Sequence, residues 1–338
     1  MSTPTDRPRS PLERANTALI RYPRFKELHH HIRQCQQMSE MAGEPQCMSL
    51  EGVTGAGKST LAQDYARAFP RFPTDEGVQV PVFYVETPSP ATVKGMASTM
   101  LEYLGDPAAS RGTLWSMNSR LIRLMIACKV EIAILDDFHH LIDCETNKVL
   151  VKVSDWLKVL IKETGLPFLV VGIEDTVERI LDVNPQLSRL FAVRETLEPF
   201  QWDVSDETGV CQFARFVQYA ERAIGIVLSN DLPRVELLYR LHCATGGVIA
   251  NLMNLLRYAA LSVQEKNSDV VDLPILAMAF RTRLAGHLKA KINPFENRQG
   301  EHSVVPDPPT EPHVDSKKTD QHAPGMHQTS VASILTAR

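Results

Sequence analysis

The sequence predicts an α/β fold: a parallel sheet covered by helices on both faces, followed by a smaller all-helical region. Three observations point there. The segment "GVTGAGKS" (52–59) lies between a β-compatible run and a helix-patterned one, the runs "EIAILDD" and "LPFLVVGI" are almost continuously apolar, and strand patterning stops near residue 200. Apolar runs of strand length alternating with helices are what strands buried on both faces of a parallel sheet require.

Each element follows in order. Residues 1–14 are polar and proline-bearing and read as a flexible segment. "TALIRYPRFKELHHHIRQCQQM" offers an extended piece, a proline break and an amphipathic helix from about Pro23 to Met38. "QCMSLEGVTGAGKSTLAQDYARAF" reads as strand, glycine-rich loop and helix, and "VQVPVFYVET" as a strand in which Pro81 marks an edge or an early position. Helices are expected over about 90–104 and 114–128, then the strand "EIAILDD", a helix over about 146–163, the strand "LPFLVVGI" and a last strand within "RLFAVRETLEPFQW". Beyond it the pattern is helical only, over about 206–224, 231–244, 248–265 and 272–290. The expected units are a nucleotide-binding α/β domain over 15–200, a helical lid over 201–292 and a tail over 293–338. That tail is rich in Pro, His and charge and has too little apolar surface to offset its ordering entropy, so it reads as disordered.

The glycine-rich segment carries the chemistry. Gly52, Val53, Thr54, Gly55, Ala56, Gly57, Lys58 and Ser59 fit the P-loop pattern G-x-x-x-x-G-K-[ST], or Walker A, at every required position, with Thr60 beside it. Glycines let the backbone N–H groups converge on phosphates, and the next helix aims its positive end at them. Lys58 would reach the β and γ phosphates of ATP, and the Ser59 hydroxyl would hold Mg2+. Such a site needs a second apolar strand ending in a carboxylate, the Walker B element, and "IAILDD" has that form. Asp136 would hold the magnesium and Asp137 would polarise the attacking water. Many such ATPases have Glu at that place; the shorter Asp argues for slow hydrolysis.

His139 and His140 follow directly. As neighbours on a helix they diverge by about 100°, so packing or hydrogen bonding near the acids is the simpler reading than a second metal site. His29, His30 and His31 read as a solvated or partner-facing surface.

Composition narrows the function classes. Apolar residues make up 43% and charged ones 22% of 338, as in a soluble globular protein. A net charge of −4 argues against holding nucleic acid by bulk positive charge, so any such contact is local. The six cysteines form no CxxC pair and read as reduced thiols. With no long apolar run and no secretory signal, a cytoplasmic location without membrane contact is expected.

Together, the P-loop, "ILDDFHHLID" (134–143), "IRYPRF", "LGDP", "NPF" and the helical C-terminal part resemble the TniB/TnsC family of AAA+ ATPases, transposition regulators, over about residues 15–296. The resemblance implies ATP-dependent rings or helical filaments on double-stranded DNA that mark a target site, with a transposase and a target-selector protein as partners. It implies an arginine completing the neighbour's nucleotide site: Arg189 in "NPQLSRLF" is first choice, Arg194 second. It places the region of Lys94, Arg111, Arg120 and Arg123 at the DNA, where Arg120 and Arg123 at i, i+3 spacing would share a face; a solvated helix face is the alternative. Two departures stand out. Gly172 and Ile173 occupy the place of a polar γ-phosphate sensor, and Ala250 and Asn251 that of a sensor arginine. The tail and the basic residues Arg7, Arg9, Arg14, Arg21 and Arg24 are candidate docking segments. Rival functions are a DNA-independent signalling or scaffold ATPase and a helicase-loader ATPase that favours single strands.

Overall fold

A computed structural model describes residues 10–142, 147–202, 207–266, 268–289 and 292–296. It divides into two compact units, Pro23–Glu198 and a second formed by the residues before Pro23 together with those from Pro199 onward.

The first unit begins with α2 (Pro23–Ala42), which follows α1 (Pro11–Thr17) of the other unit. Then come β1 (Met48–Glu51), α3 (Lys58–Arg67), the hairpin β2 (Phe72–Thr74) and β3 (Gly77–Gln79), β4 (Val82–Glu86), α4 (Val93–Tyr103), α5 (Leu114–Ala127) and β5 (Ile132–Asp136). A 3-10 turn over Phe138–Ile142 leads towards α6 (Asn147–Thr164), β6 (Phe168–Val171), α7 (Thr176–Asp182), α8 (Pro185–Leu190) and β7 (Val193–Thr196).

Five strands form one sheet in the order β4-β5-β6-β1-β7, every pair parallel. All residues of β5 and β6 are buried, which is why their sequences are apolar without alternation. Alternate residues, Phe83, Val85, Ala133, Leu135, Phe168 and Val170, face a core shared with α4, α5 and α6. Leu28, Ile32 and Leu61, all fully buried, close the opposite side from α2 and α3. Truncating one such side chain to Ala would cost about 2–5 kcal/mol.

The expected strand "VQVPVFYVET" is two pieces. Pro81 has no N–H to give and ends the hairpin strand β3 before β4 starts, and β4 is an edge strand as expected. Between β6 and β7 lie α7 and α8, too short for a periodicity signal. Asn184 caps α8 by accepting the N–H groups of Gln186 and Leu187.

The second unit contains α1, α9 (Glu207–Ile224), β8 (Val227–Leu228), α10 (Arg234–Thr245), α11 (Ile249–Glu265), β9 (Val270–Val271) and α12 (Leu273–Arg283). Among its described residues the elements are helices apart from a two-residue parallel ladder between β8 and β9. Two expected boundaries are corrected. The N-terminal segment is not flexible up to residue 14: Ser10 and Glu13 form a capping box that starts α1, and α1 packs on α9 and α11. The tail does not start at residue 293. The Asn293 side chain donates to the Ala277 carbonyl and Phe295 is buried against Phe280, which anchors "NPF" to α12. Residues 297–338 lie outside the described residues.

Candidate nucleotide site

The phosphate loop runs from the end of β1 to the start of α3. Gly52, Gly55 and Gly57 all have positive φ, at 150°, 84° and 103°. Gly52 is required twice over, because a Cβ there would also lie 2.3 Å from the Leu197 carbonyl oxygen. Lys58 opens α3 and is 7% exposed. Its ammonium donates to the Gly52 and Val53 carbonyls at 2.7 and 2.9 Å, so the loop curls around its own lysine. Burial pushes the Lys58 pKa below its ordinary value, while Asp137, Asp136 and Glu51 pull it upward. Ser59 is half-buried beside it, and Thr54 and Thr60 are exposed.

Asp136 ends β5 and is 1% exposed. Its carboxylate accepts the Tyr84 hydroxyl at 2.8 Å, the Asp137 amide at 2.9 Å and the Ser59 hydroxyl. Burial raises its pKa against those three bonds. The Ser59–Asp136 contact brings together the two side chains that the sequence assigns to magnesium. A buried carboxylate, a hydroxyl on its oxygen, a buried lysine and a loop with no room for a Cβ fit a magnesium–triphosphate group. Asp137 adopts φ 50°, a left-handed conformation costly for a residue with a Cβ, directly after the buried acid.

Several neighbours carry no motif. Tyr84, one strand over, links Asp136 to Gln63 of α3, whose side-chain amide donates to the Tyr84 oxygen at 3.1 Å. Glu51 accepts the N–H groups of Val177 and Glu178 at 2.6 and 3.1 Å. The parallel register Glu86↔Asp136 places Tyr84 two residues before the end of its strand, a signal readable only once the pairing is known.

His139 and His140 stand in the 3-10 turn with ring centroids 4.1 Å apart. Among the described residues no cluster of three or more His, Cys, Asp or Glu could hold a metal. The upstream histidines differ from expectation. His29 contacts the Leu61 carbonyl at 3.1 Å and His31 meets Glu195 at 2.7 Å, so both pin α2 to its own unit, and His30 is exposed. Arg24 is likewise engaged, with Glu195 and Glu27. Arg7 and Arg9 lie outside the described residues.

Arg189, near the end of α8, has a side chain 79% exposed, its nearest acid Glu44 at 3.7 Å. Arg194 is used internally, on Glu178, Asp182 and Ser188. Of the two arginines, Arg189 is the one presented outward. Gly172 has no room for the sensor side chain that the AAA+ pattern puts there, since a Cβ would come within 2.5 Å of Val177. Asn251 is buried and donates to the Thr245 carbonyl, joining α10 to α11.

Lys94, Arg111 and Arg123 are exposed. Arg120, three positions before Arg123 on α5, is engaged by its own chain. It binds Asp106 at 2.7 Å and the carbonyls of Ala108 and Arg111, because helical side chains lean towards the N-terminus and this one meets the preceding loop. Trp115, on the same helix, is 80% exposed, unusual for the largest apolar side chain.

Residues 13–202 match the family model described as bacterial TniB protein. The chain belongs to the TniB family. The matched span includes the P-loop, Asp136 and Asp137, and ends before α9. No curated protein matches this TniB chain. Solved structures similar in fold include the Aeropyrum pernix ORC2 protein in its ADPNP-ADP complexes, 13% identical, with a TM-score of 0.56 over 81% of this chain and 71% of that one. Another is Cdc6p from Pyrobaculum aerophilum, 15% identical, TM-score 0.53, over 75% and 67%. At such identities the likeness is one of fold: the TniB chain has the P-loop AAA+ architecture. Among its described residues no helix is long and apolar enough to cross a membrane.

Proposed function

We propose that this TniB-family chain is an ATPase that assembles with ATP on double-stranded DNA, as a ring or filament, and regulates transposition by marking a target site for a transposase. The observation that carries the nucleotide part is the meeting of Lys58, Ser59 and Asp136 around a loop shaped for phosphate.

In this reading the N–H groups of 52–60 and Lys58 hold the phosphates of ATP, Lys58 exchanging its two loop carbonyls for phosphate oxygens. Ser59 and Asp136 hold Mg2+, with Tyr84 fixing the carboxylate. Magnesium, when bound, neutralises charge on the β and γ phosphates. Asp137 orients the attacking water and accepts its proton. Arg189 acts in the neighbouring copy, so hydrolysis requires assembly; its exposure supports this assignment over Arg194. Hydrolysis then releases the assembly.

Lys94, Arg111 and Arg123 are the proposed phosphate contacts with the duplex, which position the protein without reading sequence. Arg120 holds the loop that carries Arg111 and belongs to that group only indirectly. Partner selection by a transposase and a target-selector protein rests on family membership.

The test is duplex-stimulated ATP hydrolysis by the purified full-length chain, with duplexes of increasing length. Activity that rises with duplex length and vanishes in Lys58→Ala supports the reading. Hydrolysis indifferent to DNA would favour a signalling or scaffold ATPase, and preference for single strands a helicase loader.

A further inference from the structure

Glu51 is the last residue of β1, one peptide before Gly52. Its carboxylate is half-buried and accepts the N–H groups of Val177 and Glu178, in the first turn of α7. There it satisfies two N–H groups that have no partner within the helix, at the end of α7 that favours a negative group. Burial raises its pKa against the pull of the two N–H bonds, and a triphosphate next door adds repulsion.

What α7 connects to gives the placement a use. Arg194, in β7, reaches Glu178 at 3.2 Å and Asp182 at 3.2 Å on α7, and the Ser188 hydroxyl at 2.6 Å on α8. Ser188 also donates to Asp182, and the next residue is Arg189. Arg194 in turn is rooted beside β1, paired in register with Ser49. A set of hydrogen bonds and ion pairs therefore runs from the residue before the phosphate loop to Ser188, the chain neighbour of the exposed arginine. The end of β6, the other approach to the phosphates, has at Gly172 no space for a polar side chain.

We propose that Glu51 is a positioning residue that ties the phosphate loop to α7 and α8, so that ATP in the loop sets how Arg189 is presented to a neighbouring copy. This rests on the reading of Arg189 as a group that acts in that neighbour's site. ATP draws Lys58 away from the Gly52 and Val53 carbonyls. The loop adjusts, Glu51 follows as its direct continuation, and α7 moves with the carboxylate that holds its first N–H groups.

The test separates the subunit that gives the arginine from the one that hydrolyses. Full-length Asp137→Asn subunits keep Arg189 but turn over ATP about 100-fold or more slowly, and Arg189→Ala subunits keep the acids but have no arginine to give. Mixed on duplex DNA with ATP and Mg2+, the two hydrolyse ATP faster than the sum of their separate rates. Glu51→Ala placed in the Asp137→Asn subunit lowers that gain by about 10-fold or more, at an unchanged KM for ATP, because a small misplacement of the arginine is costly. Glu51→Gln keeps the single oxygen that accepts both N–H groups but removes its charge, which weakens those bonds, and lowers the gain by about 3-fold. A mixture whose gain is indifferent to both changes overturns the proposal, and if the Ala variant does not fold, an unchanged gain with Gln does so alone. No gain before Glu51 is touched would instead refute the Arg189 reading, and the coupling with it.

Discussion

The Tyr84 hydroxyl donates to the Asp136 carboxylate at 2.8 Å, across neighbouring strands, while accepting from Gln63. The bond holds a buried acid in one orientation and connects the acidic strand to the helix that follows the phosphate loop. Residues that orient a metal-holding carboxylate without touching the metal typically change metal affinity by about 10- to 100-fold. Tyr84→Phe should therefore raise the Mg2+ concentration needed for half-maximal hydrolysis by about 10-fold and leave the fold intact. A magnesium titration of the initial rate, beside a melting curve, checks both.

Asp137→Asn should hydrolyse ATP about 100-fold or more slowly while still binding it, since Asn keeps the shape but cannot take the water's proton. Assemblies on duplex DNA should then persist. Electron microscopy after ATP addition would show them, and turnover at the original rate would remove Asp137 from the role.

Gly52→Ala tests the loop's backbone rather than its chemistry. The added Cβ meets the Leu197 carbonyl at 2.3 Å in a conformation at φ 150° that only glycine adopts readily. Destabilisation of about 3 kcal/mol is expected. Thermal or urea unfolding reads it directly, and a shift below about 1 kcal/mol would mean that the loop can relax.

His242 supplies a pH dependence in the unit that contains α9 to α12. Its ring lies against Trp202 and Phe213 and contacts the Phe200 carbonyl at 2.8 Å. Burial lowers its pKa from the usual 6.5, against the pull of that carbonyl. The unfolded chain therefore binds the proton more readily. Stability is fully present above about pH 6.5 and falls as pH drops from there towards the lowered folded value. Melting temperatures between pH 8 and pH 5 should decline more steeply in the parent than in His242→Gln.

Trp115 offers an optical test of the α5 surface. Of the three tryptophans Trp156 is buried and Trp202 half-buried, so the exposed Trp115 dominates quenching by a soluble quencher such as acrylamide. If α5 meets duplex DNA or a neighbouring copy, adding ATP and DNA should protect this fluorescence, and Arg111→Glu should weaken duplex binding about 10-fold at low salt and flatten its salt dependence. Unchanged quenching would place α5 in solvent throughout.

Residue spacing alone determined a good deal about this chain. The P-loop, the acidic strand end, the apolar character of β5 and β6 and the change to helices after residue 200 are local patterns, because glycine conformation, burial on both faces and helical periodicity all leave marks over a few consecutive residues. The partners of those residues were decided by tertiary structure. Tyr84 reaches Asp136 only through strand pairing, Glu51 reaches α7 from 126 positions away, and Arg120 finds its acid in Asp106 of the preceding loop. The same holds for His29 and His31, whose exposed-looking sequence hides contacts with Leu61 and Glu195, and for α1, which joins α9 and α11. The physical reason is common to all: a hydrogen bond or ion pair between distant residues depends on where the backbone brings them. No short-range pattern encodes that, whereas a loop that must curl around phosphate writes its requirement into eight consecutive residues.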